Sequence, residues 1–126
     1  MNLTSARDHY RRGLELYGKR AYVDAIEAYR RALEEQPEWS DCLQAMGMAQ
    51  MHAGQLEEAY RTLERVTQLA PEDPLAFTSL SMCLQRLNKI PEAEKAQSQA
   101  RLLSWKQELK SNPNAPPPSS GTPLKA

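Results

Sequence analysis

The chain is short of the residues that most catalytic and metal-binding chemistry needs. Two cysteines and two histidines occur among 126 residues. Cys42 and Cys83 stand 41 positions apart, no C-x-x-C occurs, and neither lies near His9 or His52, so no metal-ligand spacing exists. Two buried or half-buried free thiols are expected, which suits a reducing compartment. Neither sign of charge is in excess: 16 basic and 16 acidic residues leave no net field to recruit nucleic acid or an acidic membrane. No run of 18 apolar residues occurs, and the opening MNLTSARDHY holds no apolar core of signal-peptide length. The expected location is cytoplasmic, without membrane insertion. Also missing are a serine elbow, a phosphate-cradling glycine loop and an H-x-x-x-H pair. Glu34-Glu35 and Glu57-Glu58 are neighbours on helical stretches, so their side chains point apart rather than flanking a bond. No catalytic residue, metal ligand or cofactor site is expected, and the chain does not read as an enzyme.

What is present is periodicity. Residues 22–37, YVDAIEAYRRALEEQP, place Tyr22, Ala25, Ile26, Tyr29, Ala32 and Leu33 on one helical face and charge on the other. Ala25 and Ala32 let a neighbouring helix approach closely, and Pro37 ends the helix. One amphipathic helix cannot bury its stripe alone. Shifting the sequence against itself by 34 residues shows what accompanies it: Ala25 falls on Ala59 and Ala93, Tyr22 on Leu56 and Ile90, Tyr29 on Leu63, Ala32 on Val66 and Ala100. Pro37 falls on Pro71, and upstream Gly13 falls on Gly47. With this period and pattern the chain resembles the tetratricopeptide repeat family. The resemblance covers residues 6–107 in units of about 6–39, 40–73 and 74–107.

The resemblance implies an all-α fold, a right-handed superhelical stack of three helix-turn-helix repeats over residues 1–110. Ser5 or Thr4 caps the first helix, with Asp8 completing a capping-box start. Arg12 departs from the pattern, since Met46 and Leu80 hold the equivalent places. Ser40 is the expected cap of the third helix and Gly54 its left-handed end. Asp73-Pro74 opens the fifth helix, Asn88 turns the chain, and Pro91 starts the last helix. Trp105 replaces the terminating proline there, so the helix is expected to run to about 110.

Charge is unevenly spread. Repeat one carries seven basic and seven acidic residues, repeat two carries two and six, and repeat three carries five and two. Solvated helix faces account for this; a polarised partner surface is the sharper reading. Residues 111–126, SNPNAPPPSSGTPLKA, hold five of nine prolines and are expected to be a disordered tail with polyproline II character. A proline-motif ligand is the alternative to a bare tail.

In the family, first helices line a concave groove. Carried over, the groove centre is Leu14, Met48 and Met82, ringed by Tyr10, Tyr17, Gln44, Met51, His52, Thr78, Gln85 and Arg86. A methionine-rich wall suits more than one apolar shape; the bland alternative is that the methionines pad the inter-helix core. The family's lysine, asparagine and arginine clamp for acidic chaperone C-termini fails to carry over, because Tyr10, Leu14, Ala45, Leu75 and Ser79 occupy those places. The leading expectation is a protein-protein interaction module holding an apolar or amphipathic peptide. A three-repeat chaperone for secreted or membrane-inserting substrates is the second reading, and a self-associating scaffold the third. The third draws on Leu102, Trp105 and Leu109, a separate stripe on the last helix. Either the elongated last helix bends its end back over the third repeat and partly caps it, or the stripe meets its counterpart in a symmetric homodimer or docks another protein.

Overall fold

The computed structural model describes residues 5–118. Six helices follow one another: α1 (Ala6–Gly18), α2 (Tyr22–Glu35), α3 (Ser40–His52), α4 (Leu56–Leu69), α5 (Pro74–Arg86) and α6 (Ile90–Ser111). No strand occurs among the described residues. The helices pair as α1 with α2, α3 with α4 and α5 with α6, and each pair packs on the next through α2–α3 and α4–α5. The result is an all-α repeat stack.

Local chemistry sets each boundary. Ser5 accepts from the Asp8 backbone N–H at 3.2 Å, and Asp8 accepts from the Ser5 N–H at 3.2 Å, forming the reciprocal cap expected at α1. Asp73 accepts from the Leu75 N–H at 3.0 Å at the start of α5. The cap expected from Ser40 does not form; Ser40 is the first helical residue, and Trp39 precedes it without a side-chain cap. The Trp39 ring packs 4.6 Å from that of Tyr10, which fixes the entry of the chain into α3. The turn inside each pair is made identically. Arg20, Gly54 and Asn88, 34 residues apart, all adopt positive φ, at 63°, 83° and 62°. In each case the next N–H reaches back to the carbonyl of Leu16, Gln50 or Leu84 at 2.9 Å. Arg20 accepts a conformation costing a side-chain-bearing residue roughly 1–2 kcal/mol, so the pairing of α1 with α2 must offset it.

The pairs close tightly because one helix lacks a side chain where the other is bulky. A Cβ on Gly13 would lie 2.3 Å from the Tyr29 ring, and one on Gly47 would lie 2.5 Å from Leu63. In the third pair Ser81 stands in the glycine's place, and its hydroxyl donates to the Ala93 carbonyl of α6 at 2.9 Å. Gln97, half-buried, sits where Tyr29 and Leu63 stand earlier. Ala25, Ala59 and Ala93 are fully buried. The core thins along the stack. Around the first two pairs it holds Ile26, Tyr29, Leu43 and Met46, whereas the cluster at the end centres on Leu84, Ala93 and Ala96.

Both cysteines are core residues. Cys42 donates its thiol to the Tyr29 carbonyl at 3.6 Å, and Cys83 donates to the Leu56 carbonyl at 3.5 Å, each bridging to a preceding second helix. Burial pushes the Cys42 thiol from 9.0 up to about 12, and burial raises Cys83 as well.

Two outcomes follow from this packing. Ala59→Leu is expected to overpack the α3–α4 contact and lower stability by about 1–3 kcal/mol, read as a lower thermal midpoint. An unshifted melting curve would place the contact elsewhere. For Cys42, the unfolded chain gives up its thiol proton near pH 9, while the folded chain holds it to about 12. The thiol's contribution to stability is therefore full below that window and is lost as pH rises through it. At pH 8 the folded chain should leave Cys42 unalkylated and react there only after denaturation; rapid native labelling at Cys42 would contradict the burial.

Candidate peptide-binding groove

The curvature of the stack follows from which helices meet between repeats. The backbones of α1 and α3 approach each other, as do those of α3 and α5. Among the described residues no such approach joins α2 to α4 or α4 to α6. The first helices therefore crowd together on the inner side while the second helices splay outward. On that outer side, Arg30–Glu58 at 3.4 Å and Arg65–Glu38 at 3.3 Å link neighbouring repeats. Both pairs are exposed, so each is worth little.

On the inner side, Leu14 is 45% exposed and Met82 is 43% exposed, with Met48 half-buried on the helix between them. The three occupy the same place in successive repeats. The methionines divide: Met48 and Met82 reach the surface, while Met46 belongs to the core. Met51 departs from expectation. It is 2% exposed and packs with Ala59, Leu63 and Cys83, so it is core rather than groove wall. The reason is tertiary: Ala59 and Leu63 of α4 and Cys83 of α5 close over the end of α3.

The surrounding residues are fixed by contacts that sequence spacing did not reveal. Tyr10 lies between Tyr29, with ring centroids 6.0 Å apart, and Trp39. Tyr17 meets Tyr22 edge-on at 5.4 Å and His52 edge-on at 5.6 Å, and Tyr22 stacks on His52 at 4.8 Å. Desolvation, and then the nearby Asp41 charge, raises the pKa of Tyr10; desolvation and then Tyr22 raises that of Tyr17. Gln44 donates its amide N–H to the Ser79 hydroxyl across to α5. Thr78 donates its hydroxyl to the Pro74 carbonyl at 3.1 Å within its own helix. Arg86 donates to the Met51 carbonyl at 2.7 Å, placing a cation on the C-terminal carbonyls of α3 and tying the last two repeats together. Gln85 is exposed.

Tyr22 and Trp39 were missed as neighbours of this surface. Both stand outside the first helices, on the second helix and in the link to α3, so a search confined to first-helix positions passes over them. Tyr17 and Tyr22 flanking the short turn of residues 19–21 was the available signal. The arrangement supplies apolar area with amide, imidazole, phenol and guanidinium groups at its margin. Among the described residues no group of three or more His, Cys, Asp or Glu could hold a metal ion, and no helix is long and apolar enough to cross a membrane.

Leu102, Trp105 and Leu109 are all half-buried, while Leu103 faces the core. Part of this stripe is covered from within the chain. Beyond α6, Ala115 is buried and its carbonyl accepts from the Trp105 indole N–H at 3.1 Å, while Asn112, Pro113, Asn114, Pro116 and Pro117 are exposed. Residues 119–126 fall outside the described residues.

The protein resembles known structures in fold. The structure titled "Crystal structure of MamA" superposes with a TM-score of 0.80 at 21% identity, covering 85% of this chain and 63% of that one. The chain thus spans less than two thirds of that relative. The type III secretion translocator chaperone SycD of Yersinia enterocolitica matches with a TM-score of 0.76 at 20% identity, covering 84% of this chain and 81% of that one. The second tetratricopeptide domain of Spaghetti (RPAP3), solved with the HSP90 peptide SRMEEVD, matches with a TM-score of 0.75 at 23% identity, covering 79% and 92%. No curated protein sequence matches the chain significantly. The tetratricopeptide repeat profile matches residues 16–83, more than half of the chain. Three stacked helix pairs turned by the same left-handed residue every 34 positions agree with it, and the chain belongs to the tetratricopeptide repeat family.

Proposed function

We propose that the protein is an interaction module whose inner surface holds an apolar or amphipathic peptide segment. The observation that carries this reading is the exposure of Leu14 and Met82 on either side of Met48, one large apolar side chain per repeat left open at the same place. A stack that needed only to cover itself would turn polar groups outward there. Methionine and leucine, with aromatic pairs at the margin, accept apolar side chains of varied shape. An acidic chaperone tail of the kind seen with the RPAP3 domain is a poor fit, because the clamp positions hold Tyr10, Leu14, Ala45, Leu75 and Ser79 and no cation. The fold similarity to SycD supports the second reading, a chaperone for secreted or membrane-inserting clients. The two differ in partner: an adaptor retains one folded or peptide partner, and a chaperone retains several unfolded clients.

Changing Met48 and Met82 together to Glu tests the surface. Burying each methionine against a ligand is worth roughly 1.5–3 kcal/mol, so the double variant should lose more than tenfold in affinity for a captured partner while its helical circular dichroism is kept. Unfolding of the double variant would assign both side chains to the core and remove the basis of the proposal.

A further inference from the structure

Part of the outer face of α5 and α6 is covered by the segment that follows α6. Asn112, Pro113, Asn114 and Ala115 form a turn, in which the Ala115 N–H donates to the Asn112 carbonyl at 3.0 Å. The Asn114 N–H donates to Asn112 Oδ1 at 3.3 Å. Asparagine first and proline second is the composition such a turn favours. The reversal sends residues 115–118 back along the face of α5 and α6 that a further repeat would otherwise cover. There Ala115 is 6% exposed, and its carbonyl, the one preceding Pro116, accepts from Trp105 Nε1. Pro116, itself exposed, and half-buried Pro118 line a hollow with Thr78, Gln97, Arg101 and Trp105, and Pro117 is exposed outside it.

These are the elements that recognise an extended proline-rich segment in general. Such a site offers an aromatic side chain beside the prolines and an indole N–H to fix a carbonyl, and the prolines reduce the entropy lost on docking. The fit is incomplete, since about 240 Å3 beside the prolines stays open. The hollow is open to solvent and Pro116 and Pro117 are exposed, so few contacts of the segment would be lost on exchange.

We propose that this α5–α6 end face is a second binding site, for an extended proline-rich protein segment, and that residues 115–118 occupy it in cis. The site is separate from the inner groove, sharing only Thr78, and does not depend on the groove reading. The short link through residues 112–114 holds the tail at a local concentration on the order of millimolar, so a partner's segment gains access only when the tail is displaced.

The test uses the full chain and a fluorescently labelled peptide of sequence SNPNAPPP, which copies residues 111–118. Ala115→Glu places a charge in the buried position of the cis tail and should release it, shifting the Trp105 indole resonance, which is identified by its loss in Trp105→Phe. The released protein should bind the peptide saturably by anisotropy, at least about tenfold tighter than wild type, whose tail competes. A second substitution, Trp105→Glu, should abolish that binding, and a peptide with alanine at every proline should not bind. Helical circular dichroism of Ala115→Glu should match wild type, because the substitution lies beyond α6. Equal binding by wild type and Ala115→Glu overturns the proposal, as does absence of binding by both. Concentration-dependent sedimentation of Ala115→Glu without peptide binding also overturns it, assigning the face to a second copy of the chain.

Discussion

The structure depends on how closely two helices can approach within a repeat. Gly13 admits the Tyr29 ring and Gly47 admits Leu63, each to a distance that a Cβ would forbid. Completely buried Ala25 and Ala59 keep the opposite helix equally slim. The large residue of the second helix then fills the space over the glycine, and each pair becomes one well-packed unit. Everything else is stacking of such units, in which Cys42 and Cys83 mark the seams by reaching back to a carbonyl of the preceding second helix.

The third unit relaxes this rule. Ser81 replaces glycine and satisfies its hydroxyl on the Ala93 carbonyl, and Gln97 replaces the bulky partner. Its core is built mostly from alanine. Arg86 on the Met51 carbonyl and Gln44 on Ser79 add polar ties to repeat two across this thinner seam. In repeat arrays stability is passed between neighbours, and a terminal unit with little apolar core depends on its neighbour and on whatever covers its outer face. Here that cover includes the chain's own turn and prolines.

The inner surface is a consequence of the same geometry. Once α1, α3 and α5 crowd together, one position per repeat points outward between them, and Leu14, Met48 and Met82 stand there. The aromatic groups at the margin have structural tasks as well as surface. Tyr10 braces Trp39 in the first inter-repeat link, and Tyr17, Tyr22 and His52 hold together the turns at the other end of the helices. A side chain that both braces a turn and borders a groove holds its orientation with little entropy left to lose on binding.

Much of the fold was legible in the sequence because it rests on local rules that recur. The 34-residue period, the small residues at Gly13, Gly47, Ala25 and Ala59, the Ser5–Asp8 cap and the positive-φ Gly54 are each determined by nearby residues. Which methionine faces which way was only half legible. Repeat register set Met46, which is buried, apart from Met48, which is half-buried, whereas Met51 is turned inward because α4 and α5 close over it, a contact between distant segments. The place of Ala115 was not legible, because the Trp105 indole N–H that donates to its carbonyl lies ten residues upstream on α6. Helix boundaries, turns and repeat period thus follow from neighbours along the chain. The roles of Met51, Arg86, Trp105 and Ala115 were decided by the tertiary structure, since burial depends on partners that the sequence places far away.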